Sequence, residues 1–122
     1  EGERKDIDKL VTRMRELINR TGVGIVCVSH LSNPQDGGAK YEQGRPVQRT
    51  DLRGSASLAQ LSDNIISIEG NLTANSDYSP YEKCKRKVRC LKTRYGAEQE
   101  VVTDGYLWVP ETGRIGTYQE IL

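Results

Sequence analysis

The first candidate for a ligand-binding residue is a histidine that follows an apolar run. Residues 23–28 read Val-Gly-Ile-Val-Cys-Val, and His30 follows two positions later, ahead of a glycine-rich stretch. Ligands of open α/β sheets bind beyond the carboxyl ends of the strands, where such a histidine would lie. A lone histidine at a strand end is more often a structural hydrogen-bonding residue. The position strengthens the case for a site without deciding between the two roles.

A second set of candidates lies around the next predicted helix. Gln60 carries an amide that both donates and accepts hydrogen bonds, which suits a group that detects a terminal phosphate, although taken alone it is an ordinary helix glutamine. Arg53, Gly54 and Ser55 offer a guanidinium and free backbone amides at a helix start, a combination suited to phosphate oxygens. Capping of the helix by Ser55 explains the same residues about equally well.

The third candidate is a basic stretch without acidic residues, in a chain whose net charge is only +1. Strand alternation would place Lys92 and Arg94 on one face at a strand end, from which they could reach a phosphate on a neighbouring body, as an arginine finger does. A solvated face of an edge strand is the usual explanation for such a pattern. Seven cations make up the stretch: Lys83, Lys85, Arg86, Lys87, Arg89, Lys92 and Arg94.

Several chemistries lack the residues that they require. The sequence has no Gly-x-x-x-x-Gly-Lys-Ser/Thr loop and no apolar strand ending in an acidic residue suited to magnesium, so we expect no P-loop binding of ATP by this chain alone. It also lacks a Ser-His-Asp order and a paired-carboxylate signature. Cys27, Cys84 and Cys90 show no zinc spacing, which predicts three reduced cysteines and no metal site.

Helices and strands alternate in the elements that would position these residues. Apolar runs at 23–28 and 64–68 are typical of parallel strands buried on both faces, and residues 51–63 between them predict a short helix. Residues 4–20 predict an amphipathic helix, because six apolar residues recur at three- and four-residue steps: Ile7, Leu10, Val11, Met14, Leu17 and Ile18. Four short strands predict a final meander: 85–93, 98–103, 105–109 and 115–119.

The remaining segments read as loops and turns. Residues 31–50 carry Asn-Pro, Gly-Gly and Gly-Arg-Pro without a hydrophobic period, which predicts a long mobile loop of a kind that is usually functional. Polar turns are predicted at 70–80 and, between the meander strands, at 95–96, 104–105 and 111–114. The expected fold class is α/β: parallel strands with flanking helices, then a C-terminal antiparallel β-meander.

Composition predicts one domain, residues 1–122, with a thin core. Only 35% of residues are apolar, Phe is absent, and mean hydropathy is −0.65, so a fragment that completes a larger sheet fits better than an independent domain. No apolar run approaches the roughly 18 residues of a membrane span, and no signal-peptide pattern opens the chain. We therefore expect a soluble, intracellular protein without membrane contact.

Six segments occur in an order that resembles one family, the hexameric replicative DNA helicases. That order is seen in phage primase-helicases and is similar in mitochondrial Twinkle and, more distantly, in the bacterial DnaB family. It covers nearly the whole chain and implies the C-terminal half of a RecA-like P-loop ATPase motor domain, without its Walker A and B segments. The segments are Val-Ser-His-Leu-Ser-Asn-Pro at 28–34, Glu-Gln-Gly-Arg-Pro-Val at 42–47, Thr-Asp-Leu-Arg-Gly-Ser at 50–55, Leu-Ala-Gln-Leu-Ser-Asp at 58–63, Ile-Glu-Gly-Asn at 68–71 and Leu-Lys-Thr-Arg at 91–94.

The resemblance also implies roles for individual residues. His30 and Gln60 match the family's residues credited with sensing the γ-phosphate, and Arg94 matches its arginine finger, inserted into the ATP site of the adjacent subunit with Lys92 beside it. Residues 31–40 match a DNA-binding loop of the central channel, and the Arg-Gly-Ser stretch at 53–55 lies by a second one.

One departure from the family's pattern concerns the channel loop. Phage relatives tend to place lysines shortly after the histidine, whereas here Lys40 comes ten positions after His30. We therefore expect Asn33 and backbone amides to carry more of the contact with DNA.

The function implied is that of an ATP-dependent replicative helicase that translocates on single-stranded DNA, 5′ to 3′, and unwinds duplex. ATP or another nucleoside triphosphate, and Mg²⁺, would both require the missing upstream segment. Expected partners are single-stranded DNA, identical motor subunits in a hexameric ring and the upstream helicase/primase portion, in a phage-infected bacterial cytoplasm or replisome. Two alternatives stay open: a RecA-like recombinase or other ring ATPase acting on DNA, and a non-enzymatic nucleic-acid-binding module with a basic groove at 83–94.

Overall fold

One antiparallel sheet and one long helix make up most of the fold. A computed structural model describes residues 2–53, 56–73, 81–96 and 101–121, with residues 101–104 as backbone alone. Short 3₁₀ turns, Arg49–Asp51 and Glu82–Cys84, precede the second helix and the second strand. In chain order the elements are α1 (Gly2–Thr21), α2 (Ala56–Leu61), β1 (Asn64–Glu69), β2 (Lys85–Thr93), β3 (Val101–Val109), β4 (Arg114–Thr117) and the single helical turn α3 (Tyr118–Ile121).

The sheet has the order β1-β2-β3-β4, and each neighbouring pair is antiparallel. The predicted meander is therefore confirmed, and the protein is of mixed α and β type. The predicted parallel arrangement is wrong for β1, which pairs with β2. Consecutive strands can pair in this way once the intervening chain is long enough to reverse direction, whereas parallel pairing needs a crossover between strands.

The other predicted parallel strand, residues 23–28, has no regular secondary structure. Val26 and Val28 are 97% and 99% exposed. A strand is stable only where a neighbour satisfies its N–H and C=O groups, and no strand among the described residues pairs with this segment. The segment is apolar enough for a buried strand, but the structure does not use it in the sheet.

Helix α1 confirms the amphipathic helix predicted over residues 4–20. It ends where Gly22 adopts a φ of +74° and donates its N–H to the Ile18 carbonyl at 2.8 Å, the left-handed C-terminal cap that glycine favours. Its apolar face is only partly covered, since Val11 is buried whereas Leu10 and Leu17 remain exposed. None of the helices in the described ranges has the length and apolar character needed to cross a membrane.

The loop predicted over residues 31–50 is irregular apart from the 3₁₀ turn that begins at Arg49, and the residues at its two ends are joined. Leu31 and Leu52 form an isolated antiparallel bridge, in which Ser32 N–H donates to the Asp51 carbonyl at 2.8 Å and Arg53 N–H to the His30 carbonyl at 2.9 Å. This pairing turns residues 31–52 into a closed loop that begins and ends at the same place.

The main hydrophobic core lies between this loop and the sheet. Val47 from the loop, Ile65 from β1 and Leu91 from β2 are buried together, and the residues packed around them are Leu31, Tyr41, Leu52 and Ala59. Burying an aliphatic side chain of this size contributes about 1.5–3 kcal/mol. The loop is thus part of the core, although its sequence has no hydrophobic period.

A buried carboxylate ties the same loop to the sheet. The Glu69 carboxylate accepts hydrogen bonds from Arg89 Nε at 2.9 Å, Ser67 Oγ at 2.7 Å and the Val47 N–H at 3.3 Å. The Glu69 and Arg89 side chains are 7% and 14% exposed. Because the carboxylate is both paired and hydrogen-bonded, its removal from water is largely compensated.

The far end of the sheet departs from the prediction at two places. Asp104–Gly105, predicted as a turn, lies inside β3, where Arg86 faces Tyr106 and Val88 faces Thr103. Gly105 has a φ of +100°, and a glycine with positive φ serves a β-bulge as well as a turn. Residues 101–103 of the first predicted strand and the predicted strand 105–109 therefore belong to one strand, and residues 98–100 lie outside the described ranges.

The predicted last strand, residues 115–119, is also shorter than expected. Strand β4 ends at Thr117, and the next residues form α3. The Thr117 N–H donates to Glu120 Oε2 at 3.0 Å and the Glu120 N–H to Thr117 Oγ1 at 3.3 Å, so reciprocal capping starts the helical turn. The predicted turn at 111–114 is confirmed between β3 and β4, where the Gly113 N–H donates to the Val109 carbonyl at 2.8 Å.

Replacing Leu107 with alanine should lower the free energy of unfolding by about 2–5 kcal/mol, because the side chain is 1% exposed and its loss leaves a cavity. Urea unfolding followed by the fluorescence of Trp108, the single tryptophan, measures the change. Val26→Ala is the matched control and should shift stability by no more than about 0.5 kcal/mol. Equal losses in both variants would contradict the exposed position of residues 23–28.

Candidate functional site

Three of the predicted site residues meet at the C-terminal end of α2. Arg94 Nη2 donates a hydrogen bond to the Gln60 carbonyl at 2.9 Å. Lys92 Nζ donates to the same carbonyl at 3.0 Å and to that of Ala59 at 2.7 Å. The last carbonyls of a helix lack intrahelical partners and carry a partial negative charge, so cations are favoured there. Gln60 takes part through its backbone, and the residue is exposed.

An irregularity in β2 sets this geometry. Ile65 lies opposite Lys92 and Ile66 opposite Cys90, so Leu91 is an extra residue in β2. Such a bulge re-aims the side chains around it. Leu91 enters the core while Lys92 reaches α2. The prediction that Lys92 and Arg94 project together is confirmed, since both contact the Gln60 carbonyl.

A carboxylate that the sequence reasoning missed joins this cluster. Asp63 Oδ2 accepts a hydrogen bond from Arg15 Nη1 at 2.9 Å, and Arg94 Nη1 lies 2.9 Å from Asp63 Oδ1. In the described part of the chain Oδ1 accepts no hydrogen bond, so its contact with Arg94 is an ion pair without hydrogen-bond alignment. The Arg94 N–H also donates to the Asp63 carbonyl at 2.8 Å.

Asp63 could have been found from the sequence by its place between two elements. It closes the segment Leu-Ala-Gln-Leu-Ser-Asp and immediately precedes an apolar strand, while Lys92 and Arg94 end the strand that follows. If the two strands pair antiparallel, the start of one lies beside the end of the other. The predicted parallel sheet hid this juxtaposition.

Electrostatics in the cluster follow from these contacts. The hydrogen bond from Arg15 lowers the pKa of Asp63 below its ordinary value, and the charges of Arg15, Arg94 and Lys92 act in the same direction. Burial lowers the pKa of Lys92, and the neighbouring charges of Arg94 and Arg49 add to the effect. Asp63 is therefore an anion at neutral pH that partly offsets three surrounding cations.

His30 and Arg53 form a separate group at the bridge that closes the loop. His30 is exposed, and its carbonyl accepts the Arg53 N–H. Arg53 has a 60% exposed side chain whose Nε lies 3.7 Å from Glu3 Oε1. Among the described residues no hydrogen bond or ion pair joins the His30 side chain to Lys92, Arg94 or Gln60. Gly54 and Ser55, also predicted as site residues, lie outside the described ranges.

The two predicted contacts within the loop, Asn33 and Lys40, are both exposed. Their backbone groups are hydrogen-bonded: the Asn33 carbonyl accepts from Gln35 Nε2 at 3.2 Å, and the Lys40 N–H donates to Gln43 Oε1 at 2.8 Å. An ion pair braces the loop across Lys40, with Arg45 Nη2 2.8 Å from Asp36 Oδ2. Asn33 and Lys40 are thus exposed to solvent on a braced loop.

Most other cations of the basic stretch are engaged within the molecule. Arg89 pairs with Glu69, Lys85 Nζ lies 2.6 Å from Glu82 Oε1, and the Arg86 guanidinium lies 5.5 Å from the Trp108 ring centre. The carboxylates of Glu69 and Glu82 offset the charges of Arg89 and Lys85, whereas the neutral ring of Trp108 leaves the charge of Arg86 in place. This pairing disfavours an open basic groove along residues 83–94.

No group of three or more His, Cys, Asp or Glu side chains in the described ranges is arranged to hold a metal ion. Cys27, Cys84 and Cys90 are free thiols.

Comparison with known proteins relates part of this chain to a phage replication protein. No protein-family model matches the chain. Over 69 residues the sequence is 52% identical to a DNA helicase/primase of Enterobacteria phage T3. The aligned segment is 57% of this chain but only 12% of that relative. The similarity supports a relationship with the helicase/primases, in agreement with the resemblance that the motifs carry.

The Asp63 ion pairs should make stability depend on pH. Because the folded-state pKa of Asp63 lies below the unfolded value of about 3.9, the ionised carboxylate stabilises the fold above roughly pH 4. This contribution is lost as the pH falls through the folded-state pKa. Asp63→Asn should therefore be less stable than the unsubstituted chain at neutral pH, and the two should converge in strong acid. Unfolding by urea across the acid range measures the difference.

Glu16→Gln, which removes a carboxylate from the exposed surface of α1, controls for the change in net charge. It should leave stability nearly unchanged at each pH. A constant stability gap between Asp63→Asn and the unsubstituted chain would contradict the ion-pair explanation.

Proposed function

We propose that this chain is part of an ATP-dependent replicative DNA helicase, in which it forms the C-terminal portion of a RecA-like motor domain. The observation that carries the proposal is the 52% identity to a phage DNA helicase/primase over 69 residues. Its molecular support is the meeting of Lys92, Arg94 and Gln60 at one end of α2. The role in DNA replication follows from the name of that relative.

In this proposal Arg94 is an arginine finger for ATP bound to the adjacent subunit of a hexameric ring. Its side chain is 32% exposed at the end of β2, beyond the last paired residue of the strand. A guanidinium has five N–H donors in a fixed plane and matches phosphate oxygens well. Lys92 stands beside it with a second positive charge, and His30 and Gln60 would report the state of the γ-phosphate.

Residues of the closed loop, and Arg53 next to its bridge, would face DNA. Arg53 and Lys40 offer exposed cations, and Asn33 an exposed amide, on a loop whose ends are fixed at Leu31 and Leu52. Gly54 and Ser55 continue this group by the family resemblance. Contacts of this kind to the phosphates of single-stranded DNA are strong at low salt and nearly independent of base sequence.

ATP and Mg²⁺ would be bound chiefly by other parts of the complete protein, since the sequence has no phosphate-binding loop. The same proposal gives the exposed run at 23–28 a role. If residues 23–28 form one strand of a larger parallel sheet, the elements that neighbour such a strand would cover Val26 and Val28.

Replacing Arg94 with alanine in the complete helicase/primase should lower DNA-stimulated ATP hydrolysis by roughly 10³- to 10⁵-fold, the usual contribution of an arginine finger to the rate. Binding of ATP should change little, because a finger acts on the transition state. Steady-state hydrolysis and equilibrium nucleotide binding measure the two effects. Arg13→Ala, which removes an exposed cation of α1, is the control and should retain activity. Unchanged turnover in Arg94→Ala would refute the assignment.

Replacing both Arg53 and Lys40 with alanine should weaken binding of single-stranded DNA to a similar extent for every sequence tested. The slope of log affinity against log salt should become shallower by about 0.7 for each phosphate that the variant no longer neutralises. Fluorescence anisotropy with a labelled oligonucleotide across a salt series gives both quantities, with the same Arg13→Ala variant as control. An unaltered salt slope would show that these cations do not touch phosphate.

A RecA-like recombinase or another ring ATPase acting on DNA is the second candidate, because it would share the same motor elements. Strand displacement on a forked duplex separates the two. A helicase consumes ATP and releases the displaced strand, whereas a recombinase hydrolyses ATP on DNA without unwinding the fork.

A further inference from the structure

The orientation of the Arg94 side chain is set by the segment that links α2 to β1. Its two terminal nitrogens face different partners, Nη1 the Asp63 carboxylate and Nη2 the Gln60 carbonyl, each at 2.9 Å. Its own N–H donates to the Asp63 carbonyl. Backbone and side chain of Arg94 are thus both held by residues 60–63.

We propose that Asp63 is a positioning residue for Arg94, holding the guanidinium in the one orientation from which it reaches phosphate in the adjacent subunit. The inference rests on the function proposed above for Arg94. It adds a residue that touches neither nucleotide nor DNA in that scheme and acts only through the arginine.

The carboxylate is itself fixed, which a positioning role requires. Arg15 Nη1 donates to Asp63 Oδ2 at 2.9 Å and lies 3.5 Å from the Leu61 carbonyl, while Arg15 Nη2 donates to Asn19 Oδ1 at 3.2 Å. Each carboxylate oxygen of Asp63 therefore faces a different guanidinium. Rotation of the carboxylate would break both contacts, so helix α1 braces the orientation of Arg94.

These contacts leave N–H groups of the Arg94 guanidinium available to bind phosphate. The contacts with Asp63 and Gln60 engage Nη1 and Nη2, and a guanidinium has five N–H groups in all. The contacts to residues 60–63 and contacts to phosphate oxygens can therefore exist together. Because the Gln60 carbonyl is one of the partners, a shift of α2 would also shift the guanidinium. Arg94 is in this way mechanically joined to the helix that carries Gln60.

A double-mutant cycle in the complete helicase/primase tests the proposal. The four proteins are unsubstituted, Asp63→Asn, Arg94→Ala and the double variant, each assayed for kcat and KM of DNA-stimulated ATP hydrolysis. Misplacing a catalytic group by about 1 Å costs about 100-fold in rate, so Asp63→Asn should lower kcat by about that factor with KM little changed. In the Arg94→Ala background the same substitution should have no further effect on kcat.

Two more variants keep the outcome interpretable. Arg15→Gln leaves the Asp63–Arg94 contact in place but removes its brace, and should lower kcat less than Asp63→Asn, again only while Arg94 is present. Glu82→Gln removes a carboxylate paired with Lys85 at the opposite end of β2 and should leave kcat unchanged. Thermal unfolding of every variant shows whether it is folded at the assay temperature.

The outcomes separate the two proposals. Full activity of Asp63→Asn beside an inactive Arg94→Ala would overturn the positioning role and leave the arginine finger standing. An equal loss from Asp63→Asn with and without Arg94 would also overturn it, since that is the result of a general structural defect. Unchanged hydrolysis in Arg94→Ala would overturn the proposed function itself.

Discussion

Antiparallel pairing of β1 with β2 is the constraint on which the rest of the structure depends. It places Asn64 opposite Thr93, so the residue before β1 and the residue after β2 become neighbours. Asp63 and Arg94 meet for that reason, first through a backbone hydrogen bond and then through their side chains. The extra residue Leu91 adjusts the alternation of β2, so that one side chain fills the core and the next reaches the end of α2.

Two acidic residues, one at each end of β1, form ion pairs with arginines at β2. Glu69 forms a nearly buried ion pair with Arg89 and accepts two further hydrogen bonds. Asp63 forms a more exposed ion pair with Arg94 and also pairs with Arg15. A buried pair of the first kind is costly to break, because one charge would remain without a partner. The partly exposed pair contributes less to stability because solvent screens it, and the role proposed for it is to orient Arg94 rather than to stabilise the fold.

The closed loop between α1 and α2 performs two tasks at once. Its apolar residue Val47 completes the core, and its bridge at Leu31 and Leu52 brings His30 beside Arg53. The residues proposed to face ATP therefore lie on two anchors: Lys92, Arg94 and Gln60 at the end of α2, and His30 at the loop bridge, beside the proposed DNA contact Arg53. Leu52 packs against the core and Ala59 of α2 does the same, so both anchors rest on one cluster of apolar side chains.

The sequence by itself determined helix α1, the antiparallel character of the C-terminal strands and the character of the candidate residues. Helix α1 followed from a 3.6-residue apolar period and the meander from short β-rich runs between turns, because those patterns depend on near neighbours. The placement of Lys92 and Arg94 on the same face followed from the alternation of side chains along one strand. Tertiary structure alone decided that β1 runs antiparallel to β2, that residues 23–28 pair with no described strand, and that Gly105 forms a bulge within β3 rather than a turn. It also revealed Asp63, because the partner of a charged residue is fixed by which strands lie side by side, and strand pairing joins residues far apart in the chain.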